Sequence, residues 1–207
     1  MSLRTAPCKC SSLPDFSLFS FTKLVIIFFF KTREEESKNI GENNEMIEAL
    51  VKIGQHSLVP GLNIEATRLL SSLIRYSKSS MVLSLAAEGH VTKLLVGLLA
   101  SKHPQLINET LVALCLLTAH LPPIPEVVEE LDPEFVSNKV FEILEMENTQ
   151  CPKEVKMNAV TLTINIMKWK MSGVTEPFKK PNLLETVDAL GDKQLLEALQ
   201  LQLEGNF

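Results

Sequence analysis

The stretch that decides the fold is PQLINETLVALCLLTAH, from Pro104 to His120. Apolar side chains cover nearly the whole circumference that this stretch has as a helix. They are Leu106, Leu111, Val112, Ala113, Leu114, Cys115, Leu116 and Leu117. Pro104 suits the first position of a helix, where no backbone N–H is needed. A helix this apolar has no side that water can fully cover, so we expect it to be sandwiched between other helices.

The sequence around this helix recurs at a period of about 45 residues. Three apolar positions persist at a shift of 45: Leu50, Leu95 and Val140; Val51, Val96 and Phe141; Ile53, Leu98 and Ile143. Residues 65–76 also align with 109–120 at a shift of 44, and these with 158–169 at a shift of 49. A purely helical period of about 40 to 47 residues is typical of armadillo or HEAT units.

We therefore predict an all-α fold, a right-handed armadillo-type α-solenoid of three to four repeats. The repeats are placed at 45–78, 79–120, 121–170 and 174–203. The second is complete, with helices at 79–88, 90–101 and 104–120. The third has a poor first helix, because Pro122, Pro123 and Pro125 leave room for only a turn or two at 126–131. Residues 193–203 suit a capping helix with one wet face, whereas the array looks cut at its N-terminal side.

Residues 1–31 differ from everything after them. They end in FSLFSFTKLVIIFFF at 16–30, where Lys23 leaves an apolar core too short for the roughly 20 residues that span a bilayer. A signal peptide, an anchor and a strand are open alternatives, but no small-x-small cleavage site and no partner strand follow. We favour a non-homologous leader outside the fold. The polar residues 32–44 are interpreted as a linker or the start of a helix.

Composition gives little support to catalysis or nucleic-acid binding. The net charge is −5 and the pI is near 5.5, which disfavours a general nucleic-acid binder. The cysteines, Cys8, Cys10, Cys115 and Cys151, lack the CxxC spacing of a zinc site and indicate a reduced, intracellular chain. The histidines are scattered, and glycine-rich phosphate loops are absent. We expect no catalytic residue, metal or cofactor, and hence no enzyme.

Three segments together resemble a known family. They are EMIEALVKIGQH at 45–56, EATRLLSSLIRYSKSS at 65–80 and QLINETLVALCLLTA at 105–119. They closely resemble the C-terminal armadillo repeats of the small-GTPase GDP dissociation stimulators. The resemblance covers 45–203, is weakest after Gly173 and excludes 1–31.

This resemblance implies guanine-nucleotide exchange on Rho- and Rap-type GTPases and chaperoning of their prenylated forms with polybasic tails. It implies a cytosolic protein that can associate with endoplasmic reticulum or mitochondria; no nucleic-acid partner and no membrane contact are expected. The prenyl-binding pocket of that family lies in repeats upstream of those matched, so no residue here inherits a role in it. A short form of three to four repeats places full exchange activity in doubt, and a generic armadillo interaction scaffold is the alternative.

The third helices of armadillo units line a concave groove, in which residues four apart form a ladder. General armadillo alignment places seven residues in this predicted groove: Arg68, Ser72, Asn108, Val112, Leu116, Thr161 and Asn165. The centre is apolar and the two ends are polar, which favours an extended segment or switch loop of a GTPase as the occupant. In the alternative, Val112 and Leu116 pack under a neighbouring helix and only Arg68 and Asn165 are solvated.

A second candidate site is electrostatic. Residues 126–147 hold eight acidic side chains against one base, Lys139. The predicted acidic patch consists of Glu126, Glu129, Glu130, Glu142 and Glu145. Such a surface attracts a polybasic tail and speeds its encounter. An ordinary solvated face is the alternative interpretation.

Overall fold

The computed structural model describes residues 44–56, 60–76, 78, 82–84, 86 and 90–204. Regular structure in these ranges is helical and includes no strand. The helices are α1 (Asn44–His56), α2 (Pro60–Tyr76), α3 (Val91–Leu98), α4 (Pro104–His120), α5 (Pro125–Leu131), α6 (Pro133–Glu145), α7 (Lys153–Met167), α8 (Ser172–Thr175), α9 (Leu183–Asp188) and α10 (Lys193–Glu204), with a 3-10 turn at Glu176–Phe178. The all-α prediction is confirmed, whereas the number of repeats and the handedness of a solenoid stay predictions.

Some predicted segments fall where the structure gives no description. The leader at 1–31 lies outside the described residues, as does the linker at 32–44 except for Asn44, which begins α1. In the helix predicted at 79–88, only 82–84 and 86 are described, and these four residues are helical.

Several helices that the sequence shifts of 44, 45 and 49 match with one another are in contact. Helix α1 packs on α2, α3 on α4, and α6 on α7. A short connection joins the two helices of each pair. Between pairs, α1 contacts α3, while α4 contacts both α2 and α7. Gly54 lies at the contact of α1 and α3: a Cβ there would lie 2.8 Å from Leu94 Cδ1, so the end of the leucine side chain would have to shift. The matched helices α1 and α3 are therefore neighbours in space, as are α2 and α4, and α4 and α7.

Helix α4 is the centre of this packing. It runs from Pro104 to His120 as predicted, with Pro104 in its first turn. Leu111, Leu114 and Leu117 are fully buried, at 0% exposure each. Partners on three sides, α2, α3 and α7, account for the wide apolar circumference of this helix. The expected sandwich is confirmed.

The break between α5 and α6 has a local cause. The backbone of Asp132 has φ 46°, which lies in the left-handed region that residues other than glycine rarely adopt. Its Oδ1 accepts a hydrogen bond from the Phe135 backbone N–H at 3.1 Å and so caps α6. Pro125 and Pro133 occupy the first turns of the two helices. Short α5, at Pro125–Leu131, agrees with the turn or two predicted there.

The C-terminal segment closes over α6 and α7. Phe178, in the 3-10 turn, is fully buried, and Ser137 Oγ on α6 donates a hydrogen bond to the Pro177 carbonyl at 2.5 Å. Helix α10 packs on α7 and α9. It buries Leu199 and leaves Leu201 68% exposed, and its role as a capping helix stays a prediction.

Leu114→Ala tests the central position of α4. We expect it to lower the free energy of unfolding by about 2–5 kcal/mol, because it leaves a cavity between tightly packed helices. Urea unfolding followed by circular dichroism measures the loss. Leu201→Ala is the matched control, since this leucine is 68% exposed, and its effect should stay within about 0.5 kcal/mol. Equal losses in the two variants would contradict the assigned packing.

Candidate functional site

The seven predicted groove residues lie on α2, α4 and α7, the helices that pack side by side with α4 in the middle. Opposite sides of these helices are buried, as Leu73, Leu114 and Leu162 show. Each groove residue is half-buried. We name their surface the three-helix face: Arg68, Ser72, Asn108, Val112, Leu116, Thr161 and Asn165.

The apolar centre of the three-helix face is neither hidden nor fully solvated. Val112 and Leu116 are half-buried, like the polar Arg68 and Asn165 on the flanking helices. Thr161 adds little polarity, because its hydroxyl donates to the Met157 carbonyl of its own helix at 2.9 Å. The structure thus lies between the two alternatives set by the sequence, and part of the apolar pair remains open to a partner.

Two amide side chains fix the register of α4 against α7. Asn158 Nδ2 donates to Asn108 Oδ1 at 2.8 Å, and Asn165 Nδ2 donates to the Cys115 carbonyl at 3.1 Å. Both contacts join residues 50 apart, so the two helices run in the same direction. This spacing is one residue longer than the repeat shift of 49. The contacts also occupy polar groups that the sequence leaves for a partner.

Arg68 is the main polar contact between α2 and α4. Its Nε donates to Glu109 Oε1 at 2.9 Å, and its Nη1 donates to Glu65 Oε1 at 2.9 Å. The hydrogen bond that Arg68 donates to Glu109 is the largest cause of the raised pKa of Arg68. Glu65 and Glu109 are equivalent at the repeat shift of 44, so one guanidinium bridges the same position of two helices. Arg68 is already paired within the protein before any partner arrives.

Cys115 lies at the contact of α4 and α7. Its Sγ donates to the Asn158 carbonyl at 3.4 Å, while its own carbonyl accepts from Asn165. Burial raises the pKa of the Cys115 thiol to about 12. At neutral pH the group is an uncharged thiol, which is a poor nucleophile. Its geometry suits helix packing.

The residues of the predicted acidic patch divide into two groups. Glu126, Glu129 and Glu145 are exposed. Glu142 is exposed as well, but Lys139 Nζ lies 2.6 Å from its Oε2. Glu130 has only 16% of its side chain exposed, and its Oε1 lies 2.6 Å from His90 Nδ1. Glu130 therefore links α5 to the start of α3, and the exposed, unpaired charge of the patch lies on Glu126, Glu129 and Glu145.

Among the described residues, no group of three or more His, Cys, Asp or Glu side chains is placed to hold a metal ion. Within those ranges, no helix is both long and apolar enough to cross a membrane. The apolar residues 16–30 fall outside them.

Sequence reasoning missed the partners of the predicted groove residues. Glu109 and Asn158 were not assigned to the groove, yet they hold Arg68 and Asn108. A signal exists for the first, because Arg68 stands one turn after Glu65, whose repeat equivalent is Glu109. No sequence pattern shows that two asparagines on different helices will bond to each other.

The amino-acid sequence is similar to that of two known proteins. No family model matches the chain, and no solved structure matches it. It is 30% identical over 135 residues to "Rap1 GTPase-GDP dissociation stimulator 1-B" of Xenopus laevis, across 64% of this chain and 21% of the relative. It is 32% identical over 131 residues to "Rap1 GTPase-GDP dissociation stimulator 1-A" of the same organism, across 62% and 20%. The chain thus spans about a fifth of the length of these relatives.

The burial of Cys115 predicts a slow thiol. A variant with Cys8, Cys10 and Cys151 changed to Ser isolates it. At pH 8, an aromatic disulfide reagent should label the folded variant about a thousandfold more slowly than the urea-unfolded one, because thiolate is scarce at a pKa near 12. The same raised pKa makes the folded state depend on pH, because the folded protein favours the neutral Cys115 thiol. This contribution to the free energy of unfolding is complete below the pKa of the unfolded thiol and is lost as pH rises toward 12. Equally fast labelling of both states would contradict the assigned burial.

Proposed function

We propose that this chain regulates a small GTPase by binding it through the three-helix face. Two relatives named as Rap1 GTPase-GDP dissociation stimulators support this class of partner. The choice of this face as the binding site rests on the half-exposed apolar pair Val112 and Leu116 at its centre. An apolar centre with polar surroundings is the anatomy of a protein interface. The partners are Rap- and Rho-type GTPases.

The activity we propose is nucleotide exchange without bond chemistry. For the chain to release GDP, it must bind the nucleotide-free GTPase more tightly than the GDP-bound form, because only a difference in affinity shifts that equilibrium. Such a mechanism requires neither a catalytic residue nor a cofactor. Since the chain spans about a fifth of its relatives' length, binding without exchange is a distinct possible result of the same face.

A generic armadillo scaffold is the second candidate. It is favoured by the internal pairing of Arg68 and of both asparagine amides, which leaves the apolar pair as the main contact that the face offers to a partner. Release of a fluorescent GDP analogue from Rap- and Rho-type GTPases separates the two functions. Acceleration by the chain supports exchange; binding without acceleration supports the scaffold. The armadillo assignment and the cytosolic location stay predictions.

Val112→Glu tests the centre of the three-helix face. We expect GTPase binding, measured by biolayer interferometry, to weaken about tenfold or more, because the contact would bury an unpaired carboxylate. Leu184→Glu is the control: it places the same carboxylate at a half-buried apolar position on α9, outside both the three-helix face and the acidic patch. Circular dichroism confirms that both variants fold. Equal affinities of the two variants would remove Val112 from the interface.

The acidic patch is proposed to attract the polybasic tail of the same GTPases. Three of its exposed glutamates, Glu126, Glu129 and Glu145, have no ion-pair partner among the described residues and lie on α5 and α6. Charges in water act over about 8 Å at physiological salt, so the patch speeds encounter more than it strengthens the final complex.

Reversing those glutamates to lysine tests the patch. The association rate with a polybasic peptide should fall, and its dependence on salt concentration should flatten, because the steering field is lost. Glu154, Glu185 and Glu197 are also exposed, so reversing them makes the same change of net charge elsewhere. Stopped-flow fluorescence at several salt concentrations measures both rates. An equal effect in the control set would assign the attraction to net charge and not to the patch.

A further inference from the structure

The three central helices end at one border of the three-helix face. The Asn165 contact to Cys115 sets α7 beside α4. Five residues after these two, Lys170 lies just beyond the end of α7 and His120 ends α4. At the repeat shift of 44, Tyr76 at the end of α2 is equivalent to His120. We call this border the basic edge: Arg75, Tyr76, Lys78, His120, Lys168, Trp169 and Lys170.

The cations of the basic edge have no carboxylate partner in the part of the chain that the structure describes. Arg75, Lys78, Lys168 and Lys170 are exposed, and within the described ranges no ion pair involves them. Other bases of the chain are paired with glutamates: Lys52, Arg68, Lys139 and Lys179. The chain has a net charge of −5, whereas the charged side chains that define this edge are all basic. The edge is therefore a local region of positive electrostatic potential.

Apolar surface accompanies these charges. Tyr76 is 43% exposed and Met171, next to Lys170, is 40% exposed. Trp169 is half-buried between the two lysines. Aromatic and methionine side chains beside exposed cations are typical of protein–protein interfaces. The ends of helices do not need such side chains for capping.

The edge also turns toward the centre of the face. Lys168 Nζ lies 3.4 Å from Asn165 Oδ1, and His120 Nδ1 donates to the Leu116 carbonyl at 2.7 Å. Both side chains therefore fold back on groove residues of their own helices. A ligand bound at the apolar centre would therefore lie next to both side chains.

We propose that the basic edge docks an extended acidic segment of the partner protein. Neighbouring helix axes lie about 8–10 Å apart, so the ends of α2 and α7 are separated by about 16–20 Å. An extended chain rises about 3.3 Å per residue, so about five or six residues reach from Arg75 to Lys168. Carboxylates at both ends of the segment pair with these cations, and a large apolar side chain between them packs on Tyr76. The inference rests on the proposed function, because it assigns this segment to the GTPase bound at the three-helix face.

The first test uses a labelled peptide of about six residues, with glutamates at both ends and leucines between them. Fluorescence anisotropy should detect binding to the full chain that weakens with salt, and no binding of the peptide with lysines at its ends. Combined Arg75→Glu, Lys168→Glu and Lys170→Glu should weaken peptide binding by about tenfold or more.

The matched control reverses Lys93, Lys102 and Lys153 to Glu. These lysines are exposed, and Lys102 and Lys153 lie near the opposite ends of α4 and α7. The control should change peptide affinity less than about twofold. Urea unfolding of both triple variants excludes a loss of fold as the cause. Equal weakening in the two sets, or equal binding of both peptides, would overturn the proposal.

A GTPase arm separates this proposal from the function it rests on. If the GTPase binds the chain and the edge variant alone weakens that binding, both hold. If the GTPase binds and the edge variant has no effect, the acidic docking segment is wrong while the proposed function stands. If no GTPase binds but the acidic peptide does, the proposed function fails and the edge still recognises acidic chains. Binding of phosphatidylserine vesicles in place of the acidic peptide would overturn a protein partner for the edge.

Discussion

The burial of α4 between α2 and α7 is the constraint on which the described structure depends. Its leucines are covered on three sides, so a helix that would be insoluble alone becomes the middle of a layer. Covering it in this way requires equivalent helices to lie side by side and leaves one strip of each half-exposed. The three-helix face is therefore a consequence of core packing: the same contacts that bury Leu114 set Val112 and Leu116 at the surface.

Polar side chains then determine how the helices align along their length. Apolar packing tolerates sliding better than hydrogen bonds do, since it is non-directional. The Asn158 to Asn108 and Asn165 to Cys115 contacts are directional and agree on one register. Arg68 performs the same task between α2 and α4, where it bridges two glutamates. Because these groups are half-buried, leaving one unpaired would cost more than the bond itself contributes.

The sequence predicted the elements better than their contacts. A proline at the first turn and a continuous apolar circumference defined α4 correctly at both ends. Helix α2 begins at Pro60, before the repeat match at 65, because a proline can start a helix outside the aligned core. Glu130 belonged by charge to the acidic patch, yet it lies against His90, 40 residues away. Such long-range pairing depends on how α3 meets α5, which periodicity along one helix does not contain.

Internal pairing also limits how this face can recognise a partner. Asn165 uses its amide nitrogen on Cys115 and its oxygen near Lys168, so little of it remains to bind a peptide backbone. Arg68 is likewise held between two carboxylates. Recognition must then rely on the apolar centre for burial and on the unpaired charges at the border for orientation. A ligand that offers only backbone hydrogen bonds would have to break existing ones, and that exchange yields little net free energy.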